Sequence, residues 1–529
     1  MRRSRETRLN PSVAVAAASA LGLLAFLLAG CDRGGSPSAW SPHALVPTGK
    51  AACGARDHPE TGLQGQVPAP LRKLGGFAGF NCNLALAGES RGEGAGWQSA
   101  FETDAAGHVC AYYDTSPIAA GRTQTGVVVM DASDPGHPAP ATYLTSPVML
   151  DPLESLKVNP RRHLLGAVGV INGDRGPDVE LYDLSVDCRH PRLLSPAPVE
   201  EGAAPQMDVA SQKAAAPQDP IRTDEGGFAT DGLTYYATNL RRGLIYPIDV
   251  SDPQHPRVLA EWSMPFNQRT SGLSLREDGN RIYLTLFGHG AAAPVGGTPA
   301  LDNGIIIADV SDVQARRADP QIRVISTLLW GDGSASHQTI PVTIGGKPYL
   351  IATDQGGSGT ATGAGWSAAC SAGLPPWSMA RIIDIGDEKN PAIAAELALE
   401  VDDARHCDEV LPDLAGVSGF TYDDHYCSVD DPRAATALAC AGFESGVRVF
   451  DIRAPARPRE IAYFAPPSVT TPSPGSWNNR ATASGRPDHC SAQMRFDAAS
   501  ATLLTTCQDN GFLALKFQNG AWPFASAGK

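Results

Sequence analysis

Short apolar runs that end in Asp and Pro recur along the chain. Residues 244–262, LIYPIDVSDPQHPRVLAEW, contain two runs rich in Val, Ile, Leu and Tyr, joined by a polar segment. Runs of this composition predict β-strands, and the joining segment predicts a turn, because Asp accepts backbone N–H bonds and Pro cannot continue a strand ladder. The pattern therefore predicts a series of β-hairpins.

The same phrase occurs seven times. A weak copy is GFLALKF, residues 511–517, and the six clear copies end at Asp131, Asp183, Asp249, Asp309, Asp384 and Asp451. Successive Asp residues of this series are 52, 66, 60, 75 and 67 residues apart, which is long enough for four strands and insertions. A repeat of that length, without a competing helical period, predicts a propeller or a solenoid.

The sixth repeat shows the expected unit most clearly, because HYCSVD, ATALACAG, GVRVFDI and REIAYFA read as strands A, B, C and D of one sheet. Such sheets bury their faces by packing around an axis. The seventh repeat lacks a D strand, and residues 83–89, NLALAGE, match one. We expect an all-β fold, a seven-bladed β-propeller of four-stranded antiparallel blades over residues 81–529, with the ring closed by this N-terminal strand. Six or eight blades are the alternatives.

The clearest repeats lie at residues 127–138, 245–256 and 382–391, and they resemble the LVIVD repeat of bacterial β-propeller proteins. The resemblance extends over approximately residues 83–520 and implies the propeller fold. It implies no particular activity, since many proteins with such repeats have none assigned. The seventh repeat departs from the pattern, because Lys516 stands where the turn Asp is expected.

The N-terminus reads as an export signal. Residues 1–30 carry four Arg before an apolar stretch at residues 13–29 and end in LLAG, which is followed by Cys31. LLAGC resembles a bacterial lipobox, which implies a lipoprotein signal peptide and lipidation of Cys31; an uncleaved signal anchor is the alternative. Residues 31–80 are rich in Gly, Ser and Pro and predict a flexible tether. We therefore expect a membrane-anchored lipoprotein on the periplasmic or cell-surface side.

The net charge of the protein limits the classes of molecule that it can bind. The net charge is −14, and removal of residues 1–30 takes away four Arg and one Glu, which makes it −17. An acidic surface does not suit nucleic acid, whose binding requires basic grooves. We expect a monomer that contacts the membrane only through its lipid.

Ten Cys remain besides Cys31, an even number that predicts disulfides in an oxidising compartment. Cys427 is predicted to pair with Cys440 in the A–B hairpin of blade 6, and Cys490 with Cys507 in that of blade 7. Cys370 and Cys407 are predicted to join two inserted loops, and Cys82 is predicted to pair with Cys110 near the N-terminus. Cys53 and Cys188 are left unassigned.

Four large insertions are predicted on one face of the propeller. They are B–C and D–A connections, at residues 197–224, 355–377, 401–424 and 467–488. Loops on a rigid scaffold often carry recognition, although neutral drift of tolerant loops would give the same pattern. These loops contain Trp366, Trp377 and Trp477, which offer a stacking surface for a sugar or peptide or else anchor the loops. We expect a platform that binds a protein, peptide or glycan.

Three histidines begin strand A in blades 5, 6 and 7, where they would face the channel: His337, His425 and His489. Three imidazoles can hold Zn or Cu, and Glu93 is the best additional carboxylate. A structural role within the repeat is the alternative. The turn residues His137, His190 and His255 lie on the opposite face, and we interpret them as structural.

The alternative to a binding platform is a Cu- or Zn-dependent oxidase or lyase that uses the three-histidine site. The distant similarity of LVIVD-type propellers to selenium-binding proteins implies the same function, since some of those proteins are copper-dependent thiol oxidases. No G-x-S-x-G elbow, H-E-x-x-H, P-loop or dinucleotide motif occurs in a suitable context. The sequence therefore favours a non-catalytic role and leaves enzymatic activity open.

Overall fold

Strands make up most of the regular structure. The computed structural model describes residues 43–72, 76–115, 122–171, 177–195, 221–240, 242–265, 268–288, 302–358, 363–417, 419–476 and 487–524. The predicted signal peptide, Cys31, Trp477 and most of the insertion at residues 197–224 lie outside these ranges.

The strands are numbered in chain order. The first two are β1 (Phe80–Cys82) and β2 (Leu84–Ser90). Blade 1 contains β3 (Ser99–Thr103), β4 (Val109–Asp114), β5 (Val127–Asp131) and β6 (Ala139–Leu144). Blade 2 contains β7 (Lys157–Asn159), β8 (Leu164–Ile171), β9 (Pro177–Asp183), β10 (Arg192–Ser195) and the short β11 (Ile221–Arg222), which pairs with β8.

Blades 3 and 4 follow the same order. Blade 3 contains β12 (Gly226–Phe228), β13 (Thr234–Asn239), β14 (Leu244–Asp249) and an outer strand in two pieces, β15 (Arg257–Val258) and β16 (Trp262–Ser263). Blade 4 contains β17 (Leu273–Leu275), β18 (Arg281–Leu286), β19 (Asn303–Asp309) and β20 (Arg323–Trp330).

The last three blades complete the ring. Blade 5 contains β21 (Ser334–Ile344), β22 (Lys347–Gly356), β23 (Ala380–Asp384) and β24 (Ala392–Glu396). Blade 6 contains β25 (Cys427–Val429), β26 (Ala437–Ala441), β27 (Val447–Asp451) and β28 (Arg459–Ala465). Blade 7 contains β29 (Arg495–Asp497), β30 (Thr502–Cys507) and β31 (Gly511–Phe517).

Helices are short and lie in the connections. The α-helices are α1 (Ser311–Gln314), α2 (Gly363–Ser371) and α3 (Cys407–Val410). Single 3₁₀ turns occur at Ala69–Leu71, Glu400–Asp402, Ala404–His406 and Leu411–Leu414. No helix in the part of the chain that the structure describes is both long and apolar enough to cross a bilayer.

The strands form seven antiparallel sheets, which confirms the seven-bladed propeller. Strand A of each sheet lies next to the axis, because β3, β7, β12, β17 and β21 contact one another in succession, as do β25 and β29. Apolar clusters fill the spaces between neighbouring blades. The B and C strands are therefore buried on both faces, as in β13, whose six residues are all buried.

The turn Asp residues act as the sequence predicts. Each accepts a hydrogen bond from the backbone N–H two residues further on, at 2.8 to 3.1 Å, in all six clear repeats. Opposite the end of strand C, the D strand carries one extra residue, and this bulge recurs in blades 1, 2, 4, 5, 6 and 7. Bulges sharpen the local twist and interrupt an edge ladder, so the outer edge of each of these blades has the same irregularity.

The predicted closing strand is confirmed. Strand β2 pairs antiparallel with β31, from Leu84 opposite Phe517 to Ser90 opposite Phe512, and supplies the fourth strand of blade 7. The ring is therefore closed between the first long strand and the last. Strand β1 adds a fifth strand to blade 6 by pairing with β28.

The prediction of a flexible tether over residues 31–80 is wrong for the part that the structure describes. Residues 43–72 and 76–82, the N-terminal strap, pack along blades 5 and 6. The N–H of Thr48 donates to the carbonyl of Ala398 at 2.8 Å, and Glu60 pairs with the buried Arg448 at 2.9 Å. A Gly- and Pro-rich composition cannot distinguish a free linker from a segment held by such partners.

The disulfide predictions were partly right. The structure confirms the pairs in the two A–B hairpins and the pair between the inserted loops. The predicted pair of Cys82 with Cys110 is wrong, since Cys82 binds Cys53 and Cys110 binds Cys188. The first of these bonds fixes the strap, and the second joins blades 1 and 2. Neither could be deduced while the strap was taken to be mobile.

Leu84→Ala in the closing strand should lower the free energy of unfolding by about 3 kcal/mol, because its fully buried side chain packs between blades 6 and 7. Leu86→Ala is the matched control on the same strand. Its side chain is 43% exposed, and the expected change is within about 0.5 kcal/mol. Urea denaturation followed by tryptophan fluorescence measures both, and equal effects would show that the strand is not seated as described.

Candidate functional site

Three side chains from different blades meet at the centre of the ring. Glu154 lies just before β7 in blade 2, His337 lies in β21 of blade 5, and His425 lies just before β25 of blade 6. Because the A strands surround the axis, residues at their ends project into the same central space. These three residues, which we call the channel cluster, are 7%, 1% and 0% exposed.

The carboxylate of Glu154 reaches both imidazoles. Its Oε2 lies 2.8 Å from Nε2 of His337, and its Oε1 lies 3.5 Å from Nε2 of His425. The two rings stack with centroids 4.1 Å apart. The hydroxyl of Tyr426 donates to the same carboxylate at 3.3 Å. A carboxylate and two imidazoles that converge in this way form a donor set that divalent transition metals bind.

Burial and charge decide the protonation states. Burial, reinforced by the neighbouring His425 ring, lowers the pKa of His337 to about 4. Burial would raise the pKa of Glu154, but the two imidazoles outweigh it and hold that pKa well below its usual range. At neutral pH the cluster therefore contains an ionised carboxylate beside a neutral His337, whose Nε2–H donates to it.

A hydrogen bond to the backbone orients the second ring. Nδ1 of His425 lies 2.8 Å from the carbonyl oxygen of Ser491. A carbonyl can only accept, so this nitrogen carries the proton, and in the neutral ring Nε2 presents its lone pair towards Glu154. Nε2 also lies 3.4 Å from the side-chain amide of Gln355.

Further carboxyl groups surround the cluster. Lys157 donates to Glu225 at 2.7 Å, and Ser271 donates to Asp224 at 2.8 Å. Burial, together with the charge of Glu154, raises the pKa of Asp224 to about 8. Burial likewise raises the pKa of Glu225 to about 7, although the Lys157 ammonium opposes the shift. The channel thus holds three carboxyl groups for one lysine in this region.

The predicted three-histidine site is wrong in its composition. His489 is not part of the channel cluster; its Nε2 donates instead to the carbonyl of Phe420 at 3.0 Å. Glu93 also lies elsewhere, where its carboxylate accepts the N–H groups of Thr123 and Gln124 at 2.9 and 2.8 Å. His489 begins blade 7, but its ring turns towards a loop rather than the other two imidazoles.

Sequence reasoning missed the role of Glu154. Glu154 lies three residues before strand A of blade 2, and His425 lies two residues before strand A of blade 6. We expected ligands from consecutive blades, whereas the closed ring brings blade 2 within reach of blades 5 and 6. In the sequence Glu154 stands near the strand-A position of blade 2, but we took the absence of histidine there as the end of the set of ligands; a carboxylate counted as a donor would have been included.

The two loop tryptophans that the structure describes are buried, which corrects their assignment to an exposed binding surface. Trp366 and Trp377 are both 0% exposed. Their ring centroids lie 6.2 Å apart, and Trp377 contacts Tyr422 edge-on at 5.0 Å. They therefore anchor the B–C connection of blade 5 to the D–A connection before blade 6, the alternative role that the sequence left open.

The connections on this face are joined to one another. The disulfide of Cys370 with Cys407 links α2 to the segment that begins α3. On the other side of the ring, Glu93 holds residues 123–124, and Arg122 donates to the carbonyl of Pro474 at 3.1 Å. We call the side of the propeller that carries the B–C and D–A connections the insertion face.

The turn histidines on the opposite side have the structural role that we predicted. In each, Nδ1 lies 2.9 to 3.0 Å from the carboxylate of an Asp three residues earlier, and the imidazole is mostly exposed. The pairs are His137 with Asp134, His190 with Asp187, and His255 with Asp252.

Comparison with known proteins adds little beyond the fold. No protein-family model matches the sequence, and no curated protein matches it at a significant level. Among solved structures, the chain is similar to the β-propeller domain of Cps50 (Swd1) from Myceliophteria thermophila, with 12% identity over 66% of this chain and 80% of that chain and a TM-score of 0.34. The seven blades are established by the strand pairing itself.

Trp377→Ala should lower the free energy of unfolding by about 3–5 kcal/mol, because it removes a fully buried aromatic side chain. Ser371→Ala, at an exposed position in the same connection, should change it by about 0.5 kcal/mol or less. Urea denaturation measures both variants. A stable Trp377→Ala protein would contradict the buried placement of this ring.

Proposed function

We propose that the protein is an exported, lipid-anchored β-propeller that binds a protein, peptide or glycan through its insertion face. The observation that carries this proposal is the cross-linking of the long connections on one side of a closed ring. A disulfide, buried tryptophans and side-chain hydrogen bonds tie them together. Ordering a flexible loop on binding costs free energy, so loops that are already held in place bind with a smaller loss of affinity.

Several features support export. Five disulfides occur among the described residues, and such a number is typical of an oxidising compartment. Arg2, Arg3, Arg5 and Arg8 precede an apolar stretch that ends at the lipobox-like LLAGC. Two or more acyl chains on Cys31 would hold the protein on a membrane, and the strap would then connect this anchor to blade 6.

The acidic charge favours some partners over others. A mature net charge of −17 repels phosphate backbones and anionic polymers. Propellers commonly act as platforms for protein interactions, and a neutral glycan or a neutral to basic protein segment suits this surface best. The resemblance to LVIVD repeats agrees with such a role, because it concerns the scaffold and not a catalytic motif.

Cys31→Ala should abolish lipid attachment. Metabolic labelling with an alkyne fatty acid in a bacterial host measures this loss. Cys370→Ser is the control, because it removes a Cys on the insertion face and should leave labelling unchanged. Undiminished labelling of Cys31→Ala would refute the lipid anchor.

A photo-crosslinking amino acid at position 372 should capture the partner, whereas the same amino acid at position 254 should not. Ala372 is exposed on the insertion face, and Gln254 is exposed in a turn on the opposite side. The experiment uses the full chain in its membrane, with crosslinked products separated by gel and identified by mass spectrometry.

One discrete product from position 372 alone would support the insertion face. Crosslinking of the same partner from position 254 alone, or from both positions equally, would place binding elsewhere. A glycan partner would escape this reagent, so a glycan array probed with the purified chain accompanies it. Absence of both a crosslinked product and glycan binding would count against the platform.

A further inference from the structure

We propose that the channel cluster of Glu154, His337 and His425 binds one divalent first-row transition metal ion, with Zn²⁺ the best fit to its donor atoms. The site differs from the three-histidine site that the sequence suggested, since it replaces His489 with a carboxylate from across the ring. It is independent of the lipid anchor.

The donor atoms are spaced as a metal requires. The three ligand atoms lie within 4.8 Å of one another, and the contacts to the carboxylate are 2.8 and 3.5 Å. Ligands about 2.0–2.2 Å from a tetrahedral ion lie about 3.3–3.6 Å apart. The 3.5 Å contact has this spacing already, and a movement of Glu154 away from His337 would bring the 2.8 Å contact to it. Two imidazoles with one carboxylate form a known zinc donor set that leaves further positions open.

The hydrogen bonds around the cluster also point to a cation. Nδ1–H of His425 is committed to the carbonyl of Ser491, which directs Nε2 towards Oε1 of Glu154. The bond to Ser491 is the kind of outer contact that fixes the tautomer of a metal-binding histidine.

The charge of the surroundings favours the same ligand. Asp224 and Glu225 lie beside Glu154, and Lys157 is the cation paired with Glu225. Three buried carboxyl groups therefore lie near one ammonium group. A divalent ion placed between Glu154 and the imidazoles would offset the charge of the ionised Glu154 carboxylate.

Aromatic rings enclose the cluster. Trp97 and Phe443 lie 5.4 and 5.3 Å from the ring of His425, and Tyr426 lies 4.7 Å from the ring of His337. Such walls limit water and hold the imidazoles in their orientations. Ca²⁺ and Mg²⁺ prefer oxygen donors, so the nitrogen-rich set selects a transition metal.

Other clusters of potential ligands in the described ranges lack these properties. One contains Cys53 and Cys82, whose sulfur atoms form a disulfide. Another contains Asp104 and His108, which bond to each other at 2.8 Å, and there Asp104 also accepts backbone N–H groups. A third contains His43, which is exposed.

The test measures metal in the full chain purified without a polyhistidine tag. Elemental analysis of the protein as isolated is followed by EDTA treatment and calorimetric titration with Zn²⁺ alone. We expect one Zn²⁺ per chain. Glu154→Gln and His425→Ala should each weaken Zn²⁺ affinity about 100-fold or more, because even residues that only orient a ligand contribute about 10- to 100-fold.

The matched control is His489→Gln. Its amide can still donate to the carbonyl of Phe420, and it should bind Zn²⁺ as the unaltered protein does. Glu154→Gln is nearly isosteric, so it separates loss of the ligand from loss of the fold, and far-ultraviolet circular dichroism of each variant checks folding. Visible absorption of the Co²⁺-loaded unaltered protein gives a second readout, whose bands report nitrogen and oxygen ligands without any substitution.

Three outcomes would overturn the proposal. The first is absence of stoichiometric binding of Zn²⁺ or Co²⁺ by the unaltered chain. The second is unchanged Zn²⁺ affinity in a folded Glu154→Gln protein. The third is loss of Zn²⁺ in His489→Gln, which would restore the three-histidine site.

Discussion

Every part of this protein depends on the closure of the ring by β2 and β31. A propeller blade cannot bury both of its faces alone, so each of the seven sheets needs two neighbours. Blade 7 is incomplete until Leu84–Ser90 joins it, and blade 6 packs against blade 7 through the side chains that this strand covers. Without that ladder, two sheet edges would be free and the A strands would no longer surround a common axis.

Closure turns distant segments into neighbours. Glu154 and His425 are far apart along the chain, yet they face each other across the channel because blades 2 and 6 are held at fixed positions in the ring. Buried ion pairs add orientation where the strap meets blade 6. Arg448 pairs with both Glu60 and Glu460 at 2.9 and 3.0 Å. Breaking such a pair leaves an unpaired buried charge, which makes its partners hard to displace separately.

The sequence predicted the scaffold well, because the repeat is local: the Asp that ends strand C caps its own turn, and the two hairpin disulfides span one hairpin each. The closing strand could be predicted from the missing D strand of blade 7.

The packing of the strap could not be predicted, because its contacts come from blades 5 and 6 and not from its own residues. Glu154 was missed for the same reason: the ring determines its partners, whereas the pattern around it resembles that of any strand start. The loop composition could not predict the burial of Trp366 and Trp377, since a Trp in a Gly-rich loop is compatible with both burial and exposure.

The pairing of β2 with β31 also orders events during synthesis. The ribosome makes β2 before the strands of blades 1 to 6 and β31 after them, so the first of these strands must wait for all of those blades before its partner exists. An unpaired strand is prone to join other chains. The Cys53–Cys82 bond and the pairing of β1 lie directly before β2, but β1 too depends on the late blade 6. Until blades 6 and 7 have been made, β1 and β2 therefore lack the strands with which they pair in the folded ring.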